Sequence, residues 1–491
     1  MTAGDLSWPL QRAATQYGSA PAVAGLTYAE VARRVGALGA ALGQLGARVG
    51  YLGANSLAHL EAWLAVPAYG GVLVDLNYRL AREELGFMVE DARLDVLIAD
   101  EERLELARGL EVPVLSEGKW ARLADGAPAD PPGVDPDALA AISYTGGTTG
   151  RPKGVMLSHG NLLANAKHNL IATGHSPDDV WLHFCPMFHV AGTANVFAST
   201  WAGARHVVLP RFDAGQVLEA IERERATHAV FVPTMLTMLL DHPGFGDADL
   251  SSLRHIQYAA SPISPELQRR VLAAFQCDVA QFYGMTEAAP TVTHLTPADH
   301  RSGERLRSMG ATVPGVQVQV RDPLGNALPP GQIGEIWIRG PNVMLGYWNR
   351  PDATAEALVG GWYRSGDVAY ADESGYLYMV DRVKDMIITG GENVYSIEVE
   401  SVLAEHPAVR EAAVFGVPHA HWGEAVHAVA VVTSPVDADA LIEHCRRRIA
   451  GFKVPRSIDV RDEPLPRSGA GKVLKSTLRE PFWESADRRV G

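Results

Sequence analysis

The sequence predicts a two-part α/β protein: a large N-terminal part of layered α/β structure, then a small α+β unit. Three observations predict this. The chain has 491 residues, and at about 150 residues per domain that implies roughly three folding units. Short apolar runs of strand length alternate with longer amphipathic segments through most of the chain, as in a mostly parallel sheet covered by helices. Beyond Asp381–Asp385 the pattern changes to helix, two strands and helix, marking a boundary near that segment.

Taken in order, Tyr28–Leu45 has helical spacing, and Arg48–Leu52, Gly71–Asp75 and Asp95–Ile98 read as strands. Ala62–Leu76 is the most apolar stretch, but Pro67, Gly70 and Gly71 break it, and no run of about 18 apolar residues exists. It reads as buried elements of a soluble fold. Asp125–Asp137, rich in Pro, Ala and Asp, reads as a surface loop. His228–Val232 is a strand before a helical Thr234–Leu240, and Ile256–Ala260 is a strand before a helical Pro265–Phe275. In the C-terminal unit Ser396–Leu403 is helical, with Glu398 and Glu400 in a first turn that favours acids. Ala412–Gly416 and Ala425–Val432 read as strands. Asp437–Ile449 places Leu441, Ile442, Cys445 and Ile449 on one helical face.

With 43 basic and 57 acidic residues the formal charge is −14. That balance argues against a general binder of nucleic acid or anionic membrane, while leaving room for a small anionic ligand at a locally basic site. At 47% hydrophobic and 20% charged residues the composition is globular rather than disordered. Cys185, Cys277 and Cys445 are widely spaced without a CxxC pair, which excludes a disulfide framework or a cysteine zinc site and fits a reducing compartment. The first residues carry an acid early and lack a long apolar core, and the last match no lipidation or peroxisomal signal. Cytoplasm is the expected location.

The strongest local signal is Thr145-Gly146-Gly147-Thr148-Thr149-Gly150, followed by Arg151-Pro152-Lys153-Gly154, after the apolar run Ala138–Ile142. Glycines and hydroxyls offer free backbone N–H groups and side-chain donors, and Lys153 adds a mobile positive charge; together they form a phosphate cradle. The spacing is neither a Walker loop nor a dinucleotide fingerprint, and alone it would read as a glycine turn. Further segments follow. In Pro186-Met187-Phe188-His189-Val190-Ala191-Gly192 the histidine alone would read as a satisfied core residue. In Gln281-Phe282-Tyr283-Gly284-Met285-Thr286-Glu287 a ring can stack on a base, a hydroxyl can reach a phosphate and a carboxylate can hold Mg²⁺. Tyr363-Arg364-Ser365-Gly366-Asp367 is a turn whose carboxylate could accept from a diol. Asp381-Arg382-Val383-Lys384-Asp385 runs on to Gly390-Gly391, and Pro466-Arg467-Ser468-Gly469-Ala470-Gly471-Lys472 ends on a lysine that alone would be a surface residue.

In joint order and spacing these segments resemble the signature of the adenylate-forming enzymes: acyl-CoA synthetases, stand-alone adenylation domains and luciferases. The likeness spans about Asn55 to Leu478 and is loose before Tyr144. It implies an N-terminal AMP- and acyl-binding domain (1–383) with a small β-rich subdomain, and a small mobile C-terminal domain (384–491) hinged at Lys384. It implies that Thr145, Gly146, Gly147, Thr148, Thr149, Gly150 and Lys153 hold the β- and γ-phosphates. Gly146 stands where the family usually has serine, one hydroxyl fewer. Gln281 and Tyr283 would meet adenine, Thr286 the α-phosphate, and Glu287 the magnesium of MgATP. Asp367 would hold the ribose, Arg382 the ribose or phosphate, and Gly390 and Gly391 would line the channel for the pantetheine arm. Lys472 would reach the site during adenylation. His189, Val190, Ala259, Phe282, Gly284, Ala289 and Pro290 would form the acyl pocket.

The implied activity is a ligase with ATP, Mg²⁺ and coenzyme A. It activates a carboxylic acid as acyl-AMP, releasing pyrophosphate, and passes the acyl group to CoA, releasing AMP. Catalysis is positioning and electrostatics, with no covalent enzyme nucleophile. The segment Lys384–Glu398 is closer to acyl-CoA ligases than to peptide-synthetase adenylation domains, and no aspartate near His189 grips an α-amino group. The segment around Val232-Pro233-Thr234, Thr237 and Met238 lacks the arginine of malonate-activating relatives, which argues against a dicarboxylic acid. The mostly apolar or small pocket residues fit a medium-chain, branched or aryl acid. The rarity of the light reaction and the C-terminus argue against a luciferase. Two alternatives stay open: a ligase loading a carrier protein's phosphopantetheine, and a weakly active nucleotide-binding homologue, for which Gly146 is the one mark. A monomer or homodimer is expected. The basic run Arg446-Arg447-Arg448 reads as a solvated face, and His419 with His421 as too few ligands for a metal.

Overall fold

The computed structural model describes residues 4–45, 48–145, 152–261, 263–390, 392–419, 421–467 and 473–484. The chain forms two compact units: Met1–Gln317 with Ile338–Tyr363, and Val318–Trp337 with Arg364–Gly491. The mixed α/β class expected from the sequence is what forms, with a larger and a smaller unit. Among the described residues no helix is long and apolar enough to cross a membrane.

The larger unit holds two mostly parallel sheets. One has the strand order Gly346–Tyr347, Lys153–Ser158, Leu139–Thr145, Val72–Leu76, Arg48–Leu52, Val96–Ala99, Val114–Ser116. Its five strands from Leu139–Thr145 onward run parallel, and Lys153–Ser158 pairs antiparallel with Leu139–Thr145. The expected helix over Tyr28–Leu45 forms with those bounds, as does the strand Arg48–Leu52. Val72–Leu76 and Val96–Ala99 are each displaced by one residue from the expected strands, within the ordinary uncertainty of element ends.

The other sheet joins Asp278–Gly284, His255–Ala259, His228–Phe231, Val180–His183, Arg205–Val208 and Pro21–Val23 in parallel. Strand residues alternate between faces, and here the two faces differ in kind. Leu182, Phe184, Ala229, Phe231, Ile256, Tyr258 and Val279 pack against Val217, Leu218, Ile221, Leu236, Leu239 and Val271 of the covering helices. The alternate positions carry Trp181, His183, His206, His228, His255 and Gln257, all buried. Their rings form a ladder. His175 lies 4.7 Å from Trp181, Trp181 5.0 Å from His228, and His228 5.6 Å from His255, all stacked. His183 Nε2 and His206 Nδ1 are 3.0 Å apart, and Thr200 Oγ1 meets His206 Nε2 at 3.1 Å.

In the smaller unit, Val409–His419 and Gly423–Val432 pair antiparallel and Ser457–Arg461 joins in parallel. One face packs Val414, Val426, Ala428 and Ala430 with Val399, Leu403, Leu441 and Cys445; the other packs Ala413, Phe415, Val429 and Val431 with Leu465 and Leu478. The expected last-but-one helix forms over Ala438–Arg446. The Asp437 side chain caps it by accepting from the Ala440 N–H at 2.7 Å, and Leu441 and Cys445 are buried as expected. Arg446, Arg447 and Arg448 are exposed, the first two paired with Glu443.

Within this unit a buried polar chain ties distant segments. The Lys475 ammonium lies 2.7 Å from Glu400 Oε1 and donates to Ser396 Oγ at 2.6 Å. The Ser396 hydroxyl donates at 3.0 Å to the Asp381 carboxylate, which also accepts the Ser396 N–H. Burial pushes the Asp381 carboxyl up against the pull of Lys475 and these hydrogen bonds.

Candidate active site

The strand Leu139–Thr145 delivers the chain to the glycine run, and Lys153–Ser158 carries it away; Thr145 pairs with Lys153, and Tyr144 with Gly154. Residues 146–151, and with them Gly146, Gly147, Thr148, Thr149 and Gly150, lie outside the described residues, as do Gly391 and Lys472. Of the expected phosphate-holding residues, Thr145 and Lys153 are therefore placed: both half-buried and side by side as register partners.

Asp278–Gly284 carries Gln281, Phe282, Tyr283 and Gly284 on successive positions. Gln281 accepts from the Tyr258 hydroxyl at 3.2 Å, and Tyr283 is half-buried opposite Thr293. Phe282 stacks on His294 with ring centroids 4.6 Å apart and lies opposite Ala259 in the register. Gly284 sits against Pro290: a Cβ there would stand 1.7 Å from the Pro290 carbonyl oxygen. The Met285 N–H donates to that oxygen at 3.1 Å, closing a turn that contains Ala289 and a cis Ala289–Pro290 bond. Ala259, Phe282, Gly284, Ala289 and Pro290 are thereby brought together. His189 caps the short helix Val190–Thr193, its Nδ1 accepting the Ala191 N–H at 3.2 Å, and Val190 is buried.

Thr286–Ala288 is a single tight turn with Thr286 buried and Glu287 half-buried. Met344–Trp348 laces this turn to the strand of Lys153. The Met344 N–H donates to the Glu287 carbonyl at 2.9 Å, Tyr347 pairs with Val155, and the Trp348 N–H donates to Gly154 at 2.8 Å. Tyr347 meets both Glu287 and Lys153. Its hydroxyl donates to Glu287 Oε1 at 2.9 Å, and the Lys153 ammonium lies 5.1 Å from its ring centroid, within reach of a cation–π attraction. Burial, then the Glu287 charge, pushes the Tyr347 phenol far up, so it stays a donor; a hydrogen bond from Tyr363 opposes this. Sequence reasoning missed Tyr347. The one local trace is the pair Gly346-Tyr347 after an apolar run, which does not point to Glu287 sixty positions away.

A half-buried carboxylate is a hard oxygen donor, and Mg²⁺ is commonly held by one or two carboxylates together with substrate phosphates. Glu287 fits that use. Its carboxylate makes one hydrogen bond among the described residues, on Oε1.

In the smaller unit Asp367 and Arg382 are register partners on neighbouring strands, with Arg382 Nε 3.2 Å from Asp367 Oδ1. Lys384 follows on an exposed turn. Gly390 has φ +60°, where a side chain is strained, and a Cβ would stand 3.4 Å from Trp422. Of the residues flanking Lys472, the Leu474 N–H donates to Pro466 at 2.8 Å, Arg467 bridges Val473, and Arg467 pairs with Glu411.

Known proteins resemble this chain along most of its length. The family model of the AMP-binding enzyme matches residues 10–348, and that of the AMP-binding enzyme C-terminal domain matches residues 398–472. A feruloyl-CoA synthase of Amycolatopsis sp. is 43% identical, the match covering 97% of this chain and 98% of that protein. A fatty acid–[acyl-carrier-protein] ligase of Streptomyces coeruleorubidus is 38% identical, over 86% of this chain and 84% of that protein. The solved structure of o-succinylbenzoate CoA synthetase from Bacillus subtilis, in complex with its acyl-adenylate intermediate, superposes with a TM-score of 0.85 at 32% identity. That match covers 98% of each chain. With its own model matched across most of its length and a relative this close end to end, the chain belongs to the AMP-binding enzyme family.

Proposed function

We propose that the protein is an AMP-forming acid–thiol ligase that joins an apolar carboxylic acid, aryl in the first instance, to coenzyme A through an acyl-adenylate. The observation that carries this reading is the lacing of Lys153 and Glu287 around Tyr347 beside the glycine run, in a chain of this family. Feruloyl-CoA synthase and o-succinylbenzoate CoA synthetase both act on aryl acids by name, and the small and apolar residues Ala259, Phe282, Gly284, Ala289 and Pro290 support the same class.

In the first half-reaction a carboxylate oxygen attacks the α-phosphorus of ATP, and the bond to the bridging oxygen breaks as pyrophosphate leaves. Thr145, Lys153 and the glycine run 146–150 bind the phosphates. Thr286 donates to the α-phosphate, Gln281 and Tyr283 hold adenine, and Asp367 and Arg382 hold the ribose. Glu287 would hold Mg²⁺, which neutralises charge on the departing pyrophosphate. Lys472 brings a compact positive charge to the α-phosphate. In the second half-reaction the C-terminal domain, residues 384–491, turns at Lys384. The CoA thiol, passing Gly390 and Gly391, attacks the acyl carbonyl carbon, and AMP leaves with the electron pair of the C–O bond.

The test supplies the protein with MgATP, CoA and a mixed library of aryl, branched and fatty acids, with products read by mass spectrometry. New aryl-CoA and AMP are expected. AMP and pyrophosphate without any acyl-CoA would overturn CoA as acceptor in favour of a carrier protein. ATP binding with no AMP from any acid would overturn the ligase.

A further inference from the structure

We infer that Tyr347 is a positioning residue for Glu287: its hydroxyl fixes the carboxylate that would take the Mg²⁺ of MgATP. The inference rests on the function proposed above and adds a member to that site. The geometry is specific. Tyr347 stands on a two-residue strand edge, Gly346–Tyr347, held by Val155 and Met156, and its own N–H donates to Thr354 Oγ1 at 2.9 Å. The backbone on either side is also pinned, by Met344 to Glu287 and by Trp348 to Gly154. The residue is 8% exposed, so the side chain has little freedom. It donates to Glu287 Oε1 and accepts from Tyr363. A phenol that accepts one hydrogen bond has its own proton committed to the second partner, here the carboxylate. One oxygen of Glu287 is thereby held, which sets the direction of the other.

A packing role alone would need the ring and not the hydroxyl. The ring already faces Lys153, and phenylalanine would keep that contact. Tyr347→Phe therefore separates the two roles. Loss of a hydrogen-bonding partner to a metal ligand costs on the order of ten- to a hundredfold in metal affinity or activity.

The experiment uses the full-length protein with Mn²⁺ as the probe, its binding read by loss of the free-ion EPR signal in the presence of a non-hydrolysable ATP analogue. Tyr347→Phe is expected to weaken Mn²⁺ binding at least about tenfold and to raise the Mg²⁺ concentration needed for pyrophosphate release. Transfer from preformed acyl-AMP to CoA, which needs no MgATP, is expected to stay at the wild-type rate. The effect is expected to vanish on a Glu287→Gln background, since coupled residues are not additive. Wild-type Mn²⁺ affinity in Tyr347→Phe would overturn the inference, and so would an equal fall in both half-reactions, which would mean a structural role. Should Tyr347→Phe fail to fold, Tyr363→Phe, which removes the donor behind Tyr347, is expected to shift Mn²⁺ affinity in the same direction. An unchanged affinity there would overturn the inference. If the wild-type protein binds Mn²⁺ and the ATP analogue but activates no acid, the proposed function fails while the Mn²⁺ comparison still decides the role of Tyr347.

Discussion

Gly284 carries a stringent local constraint. A side chain of one carbon would stand 1.7 Å from the Pro290 carbonyl oxygen, a distance that only backbone movement relieves. Because the Met285 N–H bonds that same oxygen, movement would disturb the turn leading to Thr286 and Glu287. Gly284→Ala is expected to lower unfolding free energy by roughly 2–4 kcal/mol, measured as a fall in the urea midpoint. An unchanged midpoint would show that the turn yields freely. At this scale the sequence offered candidates wherever the proposed function demands an unusual residue type: a lysine after a glycine run, a carboxylate after Tyr-Gly-Met-Thr. Tyr347 was not legible. Its role comes from a cross-strand contact with Val155 and a reach of sixty positions to Glu287, and neither leaves a local mark.

The sheet running from Asp278–Gly284 to Pro21–Val23 has one face of Leu, Ile, Val and Phe and one face rich in buried imidazoles. Strands and covering helices were legible because apolar residues alternate on the first face. The second face was not, because one histidine in each of several strands does not say whether it meets water or another ring. Burial pushes His183, His255 and His294 down to about 4 and His228 to about 3; His175 and His206 are pushed well below the usual imidazole range. Asp179, 3.5 Å from His228 Nδ1, is paired with Arg254 at 2.6 Å and so is partly neutralised. The Nε2 atoms of His255 and His294 have no hydrogen-bond partner among the described residues, in keeping with neutral rings.

A group whose folded pKa lies below its unfolded value, about 6.5 for histidine, takes up a proton on unfolding between the two. Stability is then level above pH about 6.5 and falls as the pH drops toward about 4. Urea unfolding followed from pH 8 to pH 5 is expected to show this, with a slope corresponding to more than one proton below pH about 6.5. A slope under one proton would mean that the face hydrates or rearranges before the histidines charge.

For the whole molecule the informative variants are those that separate the two half-reactions. Lys472→Ala is expected to lose most pyrophosphate release, by about 10²-fold or more as for other groups stabilising developing charge, while transfer from preformed acyl-AMP is kept. Equal losses in a folded variant would sink the division of labour. Lys384→Pro fixes φ at the proposed pivot and is expected to suppress one half-reaction at least about tenfold more than the other; a uniform change would place the pivot elsewhere. The two-part architecture was legible from the change of pattern near Asp381–Asp385. What was not legible is that Val318–Trp337 folds with the later residues, because they are joined by sheet pairing of Gly334–Arg339 with Trp362–Ala371 and by contacts such as Arg364 with Glu335, across a gap in sequence.

The chain from Asp381 through Ser396 to Lys475 and Glu400 bears on how this protein can be cut. A fragment starting at residue 384 would keep the lysine, the glutamate and the serine but discard the aspartate that receives two of the serine's hydrogen bonds. One starting at residue 364 would retain it. The shorter piece should show faster amide exchange around Ser396 and Lys475 and earlier proteolysis. For isolating, labelling or grafting the C-terminal part, a piece that keeps Asp381, together with the Val318–Trp337 segment that folds with it, is therefore sounder than one begun at residue 384.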